Sequence, residues 1–301
     1  MLTNLPAPLK GSLAVLLVLL NTLILFPVLI LFAILKLIVP VPLVRKLSTL
    51  ALNRIAWLWI GFNNCLTDLL HRIEWDVRGA RDLDLRHWYF VTCNHQTWAD
   101  ILAIQHVLNS RIPLLKFFLK KELIWVPLLG VAWWALDFPF MRRHTKEQIA
   151  RRPELRGQDL ETTRRACEKF RTTPVTIFNF MEGTRFTPQK HRQQDSPYRN
   201  LLRPRAGGTA FVLSAMGESL HTMLDITIFY PDGAPSFWDY VCGRVERITV
   251  HIRTMEIPRK FRGMDYANDP ELQQEFQTWI SELWAEKDEL IEQLKASSAN
   301  S

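Results

Sequence analysis

From Gly11 to Leu35 the chain carries no charge and is dominated by Leu, Ile, Val and Phe, with Lys10 and Lys36 at its flanks. About 20 such residues suffice for a helix to cross a bilayer, so this run predicts a membrane segment. Asn21 and Pro27 interrupt it, which leaves open a kinked span or a bent element lying in one leaflet. The run is too long for a signal peptide and no small-residue cleavage site follows. Pro40 and Pro42 break the pattern. Leu50, Ala51, Ile55, Leu58, Trp59, Phe62, Leu66 and Leu70 then recur at helical spacing among polar residues, predicting an amphipathic helix from Leu47 to about Leu70 that lies in the interface or packs on the first.

Beyond residue 72 the apolar runs shorten and the period changes. Glu74 to Val77 reads as an edge strand, with Arg78-Gly79-Ala80 as its turn. Trp88 to Cys93 is apolar on both faces and predicts a covered central strand. Asn94 ends it, Thr97 is placed as an N-cap, and Ile101, Leu102, Ile104, Val107 and Leu108 form the stripe of the next helix. Leu114 to Lys120 reads as a strand and Trp125 to Leu136 as a buried or membrane-facing helix too short to span. Phe138 to Met141 is a short strand delivering Arg142 and Arg143, and Thr145 to Arg171 a charged, solvated helix with a loop near Pro153 and Gly157. Val175 to Phe180 is a second buried strand, followed by helix over Ala210–Met216, strand over Leu224–Tyr230, and an edge strand over Gly243–Ile252. Asp269 and Pro270 open a last helix with a stripe of Leu272, Phe276, Trp279, Ile280, Leu283, Leu290 and Leu294, and Lys295 onward reads as a frayed tail.

This alternation predicts an α/β protein: a mixed central β-sheet flanked by helices, preceded by a membrane-embedded helical element. The divisions fall at 1–72 for the anchoring helices, 73–255 for the main α/β domain, and 256–301 for a helix packing on that domain and a tail. Composition sharpens the membrane reading. Of 301 residues 48% are hydrophobic, with 11 Trp and 17 Phe, and the net charge is +7. A basic chain suits nucleic acid, an anionic membrane or an anionic substrate. The apolar N-terminus selects the membrane, and the charged stretch before Phe170 lacks the interleaved aromatics of a nucleic-acid surface. Lys36, Arg45, Lys46 and Arg54 follow the apolar run and only Lys10 precedes it, which puts the bulk of the chain on the cytoplasmic side, at the inner membrane in a bacterium. Cys65, Cys93, Cys167 and Cys242 lie far apart and read as free thiols without a zinc-type spacing.

Two turns carry candidate chemistry. His95 follows the first central strand, and Asp100 opens the next helix. On one straight helix a five-residue gap would separate their faces; across a turn the carboxylate can fold back on the imidazole, fix its tautomer and leave the other nitrogen free to take a proton. Such a pair alone is a common accident. Its weight comes from the second strand, which ends in Glu182-Gly183-Thr184-Arg185. Glycine lets a backbone approach a ligand, and an Arg fork suits phosphate.

Asn94, His95 and Asp100 in N-H-x-x-x-x-D order, followed by Phe180, Glu182, Gly183, Thr184 and Arg185, resemble the first and third motifs of the glycerolipid acyltransferase family, the group around 1-acyl-glycerol-3-phosphate acyltransferase. Met181 stands where that family usually has proline. The second motif is matched loosely by Gly130 to Arg142, and the fourth by Met223 to Ile228 without its proline. Glu182 to Thr187, Leu201 to Arg205 and the Leu-Asp-Ile-Thr-Ile strand are closer to the branch holding lysocardiolipin and lysophosphatidylinositol acyltransferases. The resemblance implies direct transfer of a fatty acyl chain, from acyl-CoA or acyl carrier protein, to the hydroxyl of a lysophospholipid. His95 would be the base and Asp100 its partner. Arg142 and Arg185 would bind the acceptor phosphate, and Glu182, Gly183 and Thr184 would shape its pocket. It implies no cofactor and no metal, and says nothing of oligomeric state. Gly207-Gly208 fits either the same cleft or a helix start. The G-x-S-x-G, H-E-x-x-H, Walker A and G-x-G-x-x-G patterns are missing. The residues are also compatible with another lysolipid or a non-glycerolipid alcohol as acceptor, or with a non-catalytic lipid-binding role.

Overall fold

In the computed structural model, residues 2–79, 81–141, 164–165, 167–170, 173–266 and 268–299 are described. The apolar run forms one continuous helix, α1 (Ala7–Ile38), with Pro27 inside it. It is long and apolar enough to cross a membrane, and most of its large side chains are exposed. The interruption expected at Asn21 is absent because that side chain turns inward, its amide donating to Trp59 O at 3.2 Å and to Asn63 Oδ1 at 3.2 Å. Those acceptors lie on α2 (Pro42–Leu70), which begins a turn earlier than the apolar spacing indicated because Pro42 occupies the first helical position, where no backbone N–H is needed.

Six strands form a mixed sheet in the order β1-β8-β7-β2-β6-β3. These are β1 (Glu74–Gly79), β2 (Tyr89–Cys93), β3 (Leu115–Phe117), β6 (Thr176–Phe180), β7 (Thr222–Phe229) and β8 (Arg247–Glu256). β2 runs parallel to both neighbours, with Val91 opposite Phe178 of β6 and Leu224 of β7. β7 and β8 pair antiparallel. β1 is the edge, as its mixed polarity indicated, but β8 is interior, between β1 and β7. The alternation of β8 had suggested an edge; Thr249 is buried beside Ile248 and Val250, because a hydroxyl is tolerated where a covered face leaves it a partner. The expected strand from Leu114 to Lys120 divides at Phe118: β3 joins the main sheet, whereas β4 (Leu119–Lys120) pairs with β5 (Phe140–Met141) in a separate ribbon.

Side-chain alternation sends each strand into two cores. Phe90, Ile177 and Met223 pack under α6 (Ala206–Met216) and α8 (Pro270–Ala299). Tyr89, Val91, Phe178, Leu224 and Ile226 pack under α3 (Ala99–Leu108). A third cluster joins Leu29, Ala33, Leu52 and Ile55 of α1 and α2 to Ala135 of α4 (Leu129–Ala135) and to Phe138. Two further short helices are α5 (Pro188–Gln193) and α7 (Phe237–Val241). Asp269 caps α8 by accepting from Leu272 N at 2.9 Å. The helix continues past Lys295 to Ala299, where the sequence reads as a tail; Leu294 is buried, and the turn beyond it is largely exposed, with the Ser298 hydroxyl donating to Leu294 O at 2.9 Å. Arg142, Arg143 and most of the charged stretch from Thr145 lie outside the described residues.

Candidate active site

Strands β2, β6 and β7 are parallel, so their C-terminal ends meet at one edge of the sheet, where open α/β sheets hold ligands. Asn94 and His95 follow β2, Met181 to Arg185 follow β6, and Tyr230 follows β7. Asn94 welds two of these ends together. Its amide donates to Ile228 O at 2.9 Å and its carbonyl accepts from Ile228 N at 2.9 Å.

The turn after Asn94 folds Asp100 back onto His95. Nδ1 of His95 lies 2.9 Å from Asp100 Oδ2. A carboxylate only accepts, so Nδ1 carries the proton and Nε2 is the ring nitrogen left to take one. The same Oδ2 accepts from Gln96 N at 2.7 Å and Thr97 N at 3.0 Å, and Oδ1 accepts from the Tyr230 hydroxyl at 2.8 Å. Asp100 is fully buried. Its charge is therefore held by hydrogen bonds rather than by water. The imidazole stacks on Phe180, centroids 3.8 Å apart, which fixes the ring plane. Trp98, before the first residue of α3, already has helical dihedrals, and Thr97 caps that turn as expected: its hydroxyl accepts from Ala99 N at 3.4 Å and donates to Pro235 O at 2.6 Å. That bond ties the catalytic-type turn to the segment before α7.

The β6 turn closes over the same point. Phe186 N donates to His95 O at 2.7 Å, and His95 N donates to Glu182 Oε1 at 3.2 Å. Glu182 is fully buried, and its Oε2 makes no well-formed hydrogen bond among the described residues. Burial pushes its carboxyl up to about 8, opposed in part by the backbone groups of His95 and Leu202. Burial thus favours its neutral form over the carboxylate. Gly183 has φ +66°, a left-handed turn that favours glycine, and the Arg205 side chain lies close enough that a Cβ there would sit 3.2 Å from its Cδ. Lys190 of α5 donates to Thr184 Oγ1 at 2.6 Å and to Arg185 O at 3.0 Å. The Arg185 guanidinium lies over the Trp98 ring, 5.0 Å from its centroid. His95, Asp100, Glu182, Gly183, Thr184 and Arg185 are thereby brought together; the placement of Arg142 lies outside the described residues. Gly207 and Gly208 are in the first turn of α6, and both are exposed.

Tyr230 and Lys190 have no signal of their own in the sequence, and Arg205 enters there only as the end of the Leu201–Arg205 run. Tyr230 reads as the end of a strand, and its link to Asp100 spans 130 positions. No group of three or more His, Cys, Asp or Glu residues suited to a metal ion occurs among the described residues.

The acyltransferase family model matches residues 74–229. The chain is 26% identical over 217 residues to human 1-acyl-sn-glycerol-3-phosphate acyltransferase delta, covering 67% of this chain and 52% of that one. It is 23% identical over 239 residues to the Saccharomyces cerevisiae 2-acyl-1-lysophosphatidylinositol acyltransferase, covering 66% and 59%. It therefore spans little more than half the length of these curated relatives. The fold is similar to that of the crystallised 1-acyl-sn-glycerophosphate acyltransferase PlsC of Thermotoga maritima, with a TM-score of 0.52 at 14% identity over 93% of this chain and 98% of that one. With more than half of its length matched, and with the His95 and Glu182 turns inside the matched segment, the chain belongs to the acyltransferase family.

Proposed function

We propose that the chain transfers a fatty acyl group from an acyl thioester to the free hydroxyl of a lysophospholipid, with 1-acyl-sn-glycerol 3-phosphate as preferred acceptor and phosphatidic acid as product. The observation that carries this reading is the buried His95–Asp100 pair at the strand edge, closed over by the Glu182–Arg185 turn. Nε2 of His95 takes the hydroxyl proton as the acceptor oxygen attacks the thioester carbonyl. The C–S bond breaks, and the imidazolium returns the proton to the departing thiolate. Asp100 stabilises the imidazolium and holds its tautomer. Arg185, together with Arg142, binds the acceptor phosphate, a role suited to a guanidinium fork. Glu182, Gly183 and Thr184 shape the pocket around it. Acyl-CoA or acyl carrier protein serves as donor.

The same reading places the enzyme at a membrane, with its catalytic domain on the cytoplasmic side and α1 lying in one leaflet rather than across the bilayer. Both ends of α1 rest on the catalytic domain. Gly11 sits against Cys242 and Trp238, and Lys36 pairs with Asp137 at 2.5 Å.

Acyl transfer by the purified full chain and by His95→Ala, with acyl-CoA and acyl carrier protein donors and a panel of lysophospholipids, tests the mechanism. The substitution is expected to cost on the order of 10²-fold or more in kcat, the range for a lost general base. Equal activity of the two proteins removes His95 from the mechanism, and transfer to a different lysolipid corrects the acceptor.

A further inference from the structure

Three large aromatic side chains stand exposed on the turn after His95 and on the segment bonded to it: Trp98 at 54%, Phe237 at 48% and Trp238 at 44%. They are not loose surface residues. Trp98 lies three positions from His95, and the hydrogen bond from Thr97 to Pro235 O joins its turn to the segment that carries Phe237 and Trp238. That segment is rigidly made. Ser236 and Asp239 form a capping box at the start of α7, and Arg244 holds Asp239 at 2.7 Å. Fixing bulky aromatics in water gains nothing for folding.

The aromatics are continuous with the apolar face of α1. Trp238 packs beside Gly11, and Ala14 of α1 shares a cluster with Val241 of α7. From there α1 presents Leu16, Leu19, Leu20 and Leu23 outward. On the other side of Trp98 the surface turns basic: Arg185 lies over the indole, and Arg205 stands exposed next to Gly183. Apolar, then aromatic, then cationic is the order met on passing from the acyl region of a bilayer to an anionic headgroup layer.

We propose that Trp98, Phe237 and Trp238 form an aromatic collar that seats the mouth of the site in the headgroup layer of an anionic phospholipid bilayer, as a second membrane contact besides α1. This rests on the one-leaflet anchoring proposed above. A lysophospholipid then reaches His95 by lateral movement, with its chain in lipid and its phosphate at the level of Arg185.

The test is depth measurement with a fluorescent label. In a Cys65→Ser background the remaining cysteines are buried. Phe237→Cys and, separately, Leu23→Cys of the full chain are labelled with an environment-sensitive nitrobenzoxadiazole dye. Each is reconstituted into vesicles of phosphatidylglycerol and phosphatidylcholine with brominated acyl chains. The collar predicts a blue-shifted emission from both labels, with emission at 237 roughly halved relative to unbrominated lipid. A label at 237 that stays open to aqueous iodide while the label at 23 is quenched by lipid overturns the collar and leaves the anchor standing. If both stay aqueous, the anchor fails with it. A label at 237 that is shielded only on adding acyl carrier protein overturns the lipid assignment and makes this a carrier-docking face.

Discussion

Asp100 is a buried carboxylate satisfied on both oxygens, and Tyr230 supplies the sole described partner of Oδ1. Tyr230→Phe keeps the ring and removes that donor. An orphaned buried acceptor costs about 1–3 kcal/mol. Because Asp100 also holds the His95 ring, part of that cost falls on the reaction. We expect kcat to drop by roughly tenfold with little change in KM for the acceptor, since the hydroxyl touches the carboxylate rather than substrate. Steady-state kinetics of the variant decide this; an unchanged kcat makes Tyr230 a packing residue. Glu182 makes a second prediction at this scale. Its carboxyl is held up to about 8 in the folded state against 4.5 for the free group. Between those values the folded protein binds the proton and the unfolded chain has lost it. Stability therefore falls as pH rises through this window, by about 1.4 kcal/mol per unit at most. Glu182→Gln cannot ionise, so its melting temperature is expected to depend less on pH between 5 and 8 than that of the wild type. Parallel slopes would show that Glu182 is ionised throughout.

At the scale of elements, β7 is held from both sides. Asn94 grips Ile228, and Lys287 of α8 donates to Ile226 O at 2.6 Å and to Thr227 Oγ1 at 3.1 Å while pairing with Asp225 at 2.8 Å. Lys287 is fully buried. A buried cation survives only with such partners, and losing it strands Asp225, whose remaining ion-pair partner is Arg253 at 3.1 Å. Lys287→Met is expected to destabilise by about 3–5 kcal/mol, and the double variant Asp225→Leu with Lys287→Met by less than the single one. Denaturant midpoints in detergent measure both; a double variant weaker than Lys287→Met would mean that the pair stabilises on its own account. These links also mark the limit of what the sequence makes legible. The His95–Asp100 pair was legible because both residues belong to one strand–turn–helix unit and their spacing constrains them. The central strands were legible because β2 and β6 are apolar on both faces. Tyr230 and Lys287 were not, because their partners are chosen by strand order, which no local pattern encodes. The interior place of β8 escaped for the same reason, since burial between two strands overrode a polar-looking pattern.

The whole molecule adds a constraint that neither scale contains. From Lys10 to Lys36, α1 runs about 39 Å at 1.5 Å per residue, longer than the roughly 30 Å hydrocarbon core of a bilayer. Length alone would let it cross. Its contacts argue otherwise: Ala14 packs on Val241 of α7 near one end, Leu29 and Ala33 pack with Ala135 of α4 near the other, and α2 covers it between. A crossing helix would carry one of these docking points to the far side, and α3, α4 and α7 all belong to or abut the same sheet domain. The chain is therefore expected to have both of its ends on one side of the membrane. Leu2→Cys and Ala296→Cys, each in a Cys65→Ser background, place single exposed thiols near the two ends. In sealed vesicles of uniform orientation a membrane-impermeant maleimide is expected to label both positions or neither. Inverting the vesicles should reverse the result for both together. Labelling of one position in each orientation would make α1 a spanning helix, and the docking of its two ends on the domain would then have to be abandoned along with the collar that continues from it.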